Sequence, residues 1–175
     1  MVSLAAPLAQ PSFASAGPHG SGLALCPVNG AAQVVGFYQQ AQRTLDVYTE
    51  LLGNPTLESE LVAAVTRGVR VRLISPQHVN GGSQEIQHRQ LTALTALSAN
   101  GVQVHVNGPT NVPLPYFHAR AAVADAQRAY LGSISLSPNG ITFNREMTLL
   151  FQDSALVQQL QTQFDSDYDL LTHNF

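Results

Sequence analysis

The sequence predicts an α/β fold in which a mixed sheet is covered by helices on both faces. Two observations carry this expectation. Short β-branched runs alternate with longer runs whose apolar residues recur at helical spacing, and Gly, Pro and Asn punctuate most of the changes between them. Size agrees: with 175 residues, 45% hydrophobic and 11% charged, the chain can bury one proper core but has little room for two.

Residues 1–22 are rich in Ala, Ser, Pro and Gly, carry no charged side chain and follow no period. They are expected to form a flexible tail ahead of one domain over 23–175. Pro7 and Pro11 interrupt what would be the apolar run of a secretory signal, and no Lys or Arg precedes it, although Ala14-Ser15-Ala16 is cleavage-like. The compartment stays open, the cytoplasm being favoured slightly over export. No run approaches the roughly 18 apolar residues of a membrane span, so no transmembrane segment is expected.

Leu23–Val28 reads as a short strand ending at the turn signal Asn29-Gly30. In Ala31–Gln42, Val34, Val35, Phe37, Tyr38 and Ala41 fall at helical spacing, and Thr44–Glu50 then alternates as a strand does. Thr56 opens a capping-box-like Thr-Leu-Glu-Ser-Glu, and Gly68 suits a left-handed helix end. Val69–Ser75 is a strongly β-branched strand. A loop over 77–84 leads to a helix over Gln84–Asn100, with Ile86, Leu91, Leu94 and Leu97 on one face, and to a strand over Val102–Val106. After the Pro-rich loop Asn107–Pro115, Tyr116–Asp125 and Arg128–Ser135 read as strands joined by a tight turn. Glu146–Phe151 is a third strand and Asp153–Tyr168 a closing helix.

Charge and cysteine content narrow the chemistry. The net charge is −3, all eight basic residues are arginine, and no basic stretch tracks a long polyanion. Cys26 is the single cysteine, which excludes an intrachain disulfide framework and a cysteine-based metal cluster. The informative stretch starts at Phe117: His118-Ala-Arg120, four residues, Asp125, six residues, Gly132-Ser133, and later Asn144-Arg-Glu146. This spacing resembles the phospholipase D superfamily, whose signature is His-x-Lys, four residues, Asp, six residues, Gly-Ser, and further on Asn-x-Glu. The likeness extends over roughly residues 23–170, through Leu-Asp-Val-Tyr-Thr-Glu and Arg-Gly-Val-Arg-Val-Arg upstream. Arg120 stands in place of the usual Lys, and Ser135 in place of the usual Asn.

The resemblance implies an α-β-α sandwich and a metal-independent phosphodiesterase with a phosphohistidine intermediate and no cofactor. The residues make chemical sense on their own terms. A neutral imidazole can attack a phosphodiester and divide one hard displacement into two easier ones, which gives His118 the role of nucleophile. A carboxylate on its second nitrogen would fix the tautomer, and Glu146 occupies the matching position. Arg120, Ser133 and Ser135 would hold the non-bridging oxygens, a guanidinium binding phosphate at least as well as an ammonium. Gly132, Asp125 and Asn144 are supporting residues, Asp125 suiting a turn as well as the site. Glu50, at a strand end facing the same way, is a further candidate.

One histidine does not suffice, because the leaving oxygen must be protonated from the far side of phosphorus. His78, His88 and His105 sit in unlike settings, and His19 and His173 lie near the two ends. The expectation is a homodimer sharing one site, or pairing with a half on another chain. The substrate expectation leans to phospholipid head groups, by hydrolysis or transfer, with non-specific nucleic-acid cleavage as the alternative. The Leu23-Ala-Leu-Cys-Pro start resembles the point where a second half begins in two-motif relatives, so a non-catalytic scaffold half is a third reading. Arg67, Arg70 and Arg72 are read as a solvated helix end and strand face, His105 as a surface residue, and Asp165, Asp167 and Asp169 as a solvated terminus unsuited to metal.

Overall fold

A computed structural model describes residues 21–107 and 115–171. The expected tail, His19, most of the Pro-rich loop and His173 lie outside the described residues. Seven strands form one sheet in the order β1-β7-β6-β5-β2-β3-β4: β1 Gly22–Cys26, β2 Thr44–Tyr48, β3 Arg70–Pro76, β4 Gln103–Asn107, β5 Ala121–Ala124, β6 Arg128–Gly132 and β7 Glu146–Phe151. The β2-β3-β4 ladder is parallel, joined through helices α2 (Pro55–Thr66) and α3 (Gln84–Ala99), while β5, β6, β7 and β1 pair antiparallel. Helix α1 (Gly30–Gln39) joins β1 to β2, a short α4 (Pro138–Thr142) precedes β7, and α5 (Ser154–Leu170) closes the chain.

The faces divide the apolar residues as the strand period dictates. Leu45 and Val47 of β2 meet Val34 and Phe37 of α1, Leu57 and Leu61 of α2, and Leu94 and Leu97 of α3 in the main core. Tyr48 points the other way, with Ile74, Phe117 and Ala121, onto Phe164 of α5. That second face also buries charge. Asp46 is 1% exposed and takes two hydrogen bonds from Arg72, at 2.6 and 2.8 Å, and one from Gln161 at 2.8 Å. Arg72 also bonds Asp165 and lies over the rings of Phe164 and Tyr168.

Several sequence expectations change here. Arg72 is buried in an ion network rather than solvated, and Arg67 donates to the carbonyl of Tyr38. Asp165 belongs to the Arg72 network and Asp167 accepts from the Tyr48 hydroxyl, so neither is merely a solvated terminus. His105 stacks on Tyr168 with ring centroids 3.7 Å apart. The N-cap of α2 is Asn54, whose side chain accepts from the Leu57 amide, with Pro55 as the first helical residue in place of a box opened by Thr56. On α3 the buried face runs through Gln90, Ala93, Leu94 and Leu97, leaving Leu91 half-buried.

Helix α1 stops at Gln39 rather than Gln42 for a tertiary reason. The Asp125 carboxylate, in the β5–β6 turn, accepts from the amides of Gln42, Arg43 and Thr44 and draws that segment into β2. Asp125 has φ +57°, a left-handed conformation that Asp tolerates better than most residues. It therefore ties the turn. Burial opposes its ionisation, but the amides of Thr44, Arg43 and Gln42 and the charge of Arg128 outweigh burial and lower its pKa. A depressed folded pKa stabilises above the unfolded value, near 4, and the gain is lost as pH falls through the folded value. Replacing Asp125 by Asn should cost about 2 kcal/mol near neutral pH in urea titrations, and the gap from wild type should narrow in acid.

Candidate active site

The residues that carry the motif converge where β2, β5, β6 and β7 meet at one end of the strands. Residues 116–120 lead into β5 without belonging to a strand, so the expected strand over Tyr116–Asp125 is paired only from Ala121. At its start the Arg120 carbonyl accepts from the Gly132 amide at 3.1 Å, which ties the His118-Ala-Arg120 segment to the Gly-Ser turn after β6. Gly132 is required there, because a Cβ would lie 2.3 Å from the Met147 carbonyl oxygen and 2.4 Å from the Thr148 Cα. The expected strand over Arg128–Ser135 stops at this glycine, and the chain turns into α4.

His118 is exposed, with its two ring nitrogens beside the Arg120 guanidinium at 3.2 and 3.4 Å. The carboxylate that meets them is Glu50. It follows β2, is 6% exposed, takes a hydrogen bond from Arg120 and lies 3.3 Å from His118 Nε2. Tyr116 donates to its other oxygen at 2.9 Å. Glu146 sits differently from the sequence expectation. Its carboxylate accepts from Asn144 Nδ2 at 3.0 Å, and within this chain the carboxylate in ion-pair reach of His118 is Glu50. The reason is topological: β2 ends beside β5, which leads back to His118, whereas Glu146 begins β7, two strands farther out.

Arg120, Ser135, Asn144 and Glu146 line one cleft of about 410 Å³, faced by Ser83 and Arg89. Ser135 is buried and shares a hydrogen bond of 2.9 Å with Ser137. Ser133 is exposed, and its hydroxyl accepts from the Met147 amide at 3.1 Å. Asp125, in the β5–β6 turn at the other end of β5, is not brought to the cleft. Among the described residues no three His, Cys, Asp or Glu side chains converge as metal ligands, and no helix is long and apolar enough to cross a membrane.

Sequence reasoning missed two supports of Glu50. Tyr116 is one. The other is Gln90, fully buried on α3, which donates to the carbonyls of Glu50 and Pro76 and to Ser75 Oγ, and accepts from the Leu52 amide. The only signal was a polar residue in register with Leu94 and Leu97, and periodicity cannot show what a buried amide will bond.

Fold and motif together define a phospholipase D-like domain. Residues 35–168 match the family described as cardiolipin synthase, PLD-like domain, and the chain belongs to it. It is 28% identical over 140 residues to the mitochondrial cardiolipin hydrolase of Xenopus laevis, covering 77% of this chain and 60% of that protein. The chain thus spans less than two thirds of that relative's length. Among solved structures, Nuc from Salmonella typhimurium, a phospholipase D family member, superposes with a TM-score of 0.75 at 17% identity, over 89% of this chain and 97% of that one. NucT from Helicobacter pylori gives 0.72 at 14% identity, over 89% and 98%. These bear on the fold, which is the α/β arrangement expected from the sequence.

Proposed function

We propose that the chain is one half of a metal-independent phosphodiesterase that works through a phosphohistidine at His118 and acts on phosphodiester head groups such as those of phospholipids. The observation that carries this reading is the His118–Arg120 pair held by the buried carboxylate of Glu50 at the rim of a polar cleft. Glu50 accepting Nε2–H puts the lone pair on Nδ1, which attacks phosphorus as Arg120, 3.2 Å from that nitrogen, turns to the phosphate oxygens. The P–N bond forms as the bond to the leaving oxygen breaks, and that oxygen takes its proton from a donor opposite. Water or an alcohol then displaces the imidazole. Arg120 offsets charge on the non-bridging oxygens, with Ser133 and Ser135 as further donors. Among the described residues no second histidine adjoins His118, so the opposite donor is assigned to the His118 of a second copy in a homodimer.

The lipid preference is supported by the acidic balance and absence of lysine, since phosphate contacts dominate affinity for nucleic acid. It is also in keeping with relatives named cardiolipin hydrolase and probable cardiolipin synthase. Acid-quenched protein incubated with bis-p-nitrophenyl phosphate in EDTA should carry a p-nitrophenyl-phosphoryl adduct by intact mass, with one p-nitrophenolate released. Cardiolipin vesicles should be turned over, and binding to a short duplex should be weak even at low salt. No adduct from folded dimeric protein would leave only a non-catalytic half. Tight duplex binding that falls steeply with salt would move the substrate to nucleic acid.

Glu50 supplies a separate expectation. Glu50→Gln keeps the volume but removes the charge that orients Arg120 and His118, and kcat should fall on the order of 10²-fold. Tyr116→Phe loses one hydrogen bond to that carboxylate, and its loss should be roughly tenfold or less. Steady-state kinetics on both variants, with circular dichroism to confirm folding, checks this ordering.

A further inference from the structure

Two guanidinium groups line the cleft. Arg120 belongs to the motif and is engaged by Glu50 and the His118 carbonyl. Arg89 lies outside the motif, on α3, one residue before the Gln90 that anchors the Glu50 backbone. Its lodging is specific. A Cβ at position 53 would lie 2.3 Å from Arg89 Cδ and 2.8 Å from Cγ, so the arginine stem passes over a glycine that also has φ +114°. Any side chain at 53 would displace the stem, and with it the charge that the stem carries to the cleft.

Arg89 stands at a boundary. With Glu85 it lines both the cleft and a second hollow of about 400 Å³, which Glu58 of α2 and His88 and Thr92 of α3 wall further. The guanidinium already holds an anion, because its Nη2 donates to a Glu85 carboxylate oxygen at 2.7 Å. That carboxylate is 82% exposed, and an i,i+4 pair so open to water contributes little. It can swing into solvent when a better acceptor arrives, and the guanidinium fork matches two oxygens of a phosphate.

We propose that Arg89 is a specificity-determining residue: it binds a second phosphate of the substrate in the place Glu85 now fills, so the preferred substrate is a phosphodiester joined to that phosphate by a short bridge. The inference deepens the phosphodiesterase reading and rests on it for assigning the first phosphate to Arg120. A cleft of about 410 Å³ is of the size that encloses a small ligand with two such groups. A long polyanion fits less well, since it would have to pass the carboxylates of Glu85 and Glu146 on the same cleft.

Calorimetric titration of the full-length chain carrying His118→Ala, which keeps the cleft but does not consume the probes, tests this. The probes are two water-soluble diesters, glycerophosphoglycerol with one phosphate and bis(glycerophospho)glycerol with two. The second should bind roughly tenfold more tightly. Adding Arg89→Gln should reduce this ratio to about two, the statistical advantage of two equivalent phosphates, while Arg89→Lys should keep part of it. Glu85→Gln, which removes the competing carboxylate, should widen the ratio roughly threefold, and it serves if Arg89→Gln fails to fold. A ratio near two before any change at Arg89 overturns the proposal, as does a ratio that neither Arg89→Gln nor Glu85→Gln moves. Kinetics on the same probes with His118 intact separate the two readings. A binding preference lost in Arg89→Gln, without turnover of either probe, keeps the second phosphate site and removes the phosphodiesterase reading. Turnover of both probes with kcat/KM ratios that Arg89→Gln leaves unchanged keeps the activity and removes the site.

Discussion

His118→Ala should abolish phosphodiester turnover by at least about a thousandfold and should leave no adduct in acid-quenched intact-mass spectra. The imidazole is 65% exposed, and among the described residues its ring nitrogens meet Arg120 and Glu50, so its removal should leave the melting temperature within a few degrees of wild type. The pairing of a full catalytic loss with retained stability is the discriminating result. Mixing wild type with excess His118→Ala should lower activity per wild-type chain, because on the homodimer proposed above a mixed pair carries one imidazole in a site that needs two. Residual turnover in His118→Ala that matches wild type would place the nucleophile elsewhere.

The largest stability effect should come from Arg72→Met, far from the cleft. Asp46 is 1% exposed and would keep its charge with only Gln161 beside it, while Asp165 would lose its cation. Breaking a buried pair from one side costs about 3–5 kcal/mol. For a chain of this length that corresponds to a fall in Tm of roughly 10 °C, readable by calorimetry. The paired change Asp46→Leu with Arg72→Met removes both charges and should recover most of the loss. A single variant as stable as wild type would show that water reaches Asp46 in the folded chain.

Strand and helix order were legible because burial imposes a period. Thr44–Glu50 and Val69–Ser75 alternate or branch as buried strands must, and the spacing from His118 to Gly132 survives any change in the residues between. The errors lay where a distant group intervenes. Nothing local to Gln39 ends α1, since the acceptor that draws Gln42, Arg43 and Thr44 away is Asp125, some eighty positions later. Likewise Tyr116–Arg120 alternates like a strand but has no neighbour to pair with beyond the end of β2.

The candidate site divides in the same way. The sequence by itself determined the chemical types, namely one imidazole, one guanidinium two residues on, a Gly-Ser turn and an Asn-x-Glu, because their spacing along one chain segment is covalent. Only the tertiary structure decided which carboxylate meets His118. That depends on β2 lying antiparallel beside β5, which brings Glu50 across about 70 residues of chain and leaves Glu146 at the start of β7 with Asn144. It also decided that Arg72, Asp46 and Asp165 form one buried network, since charges drawn from two strands and the last helix share a site only once the sheet and α5 have packed.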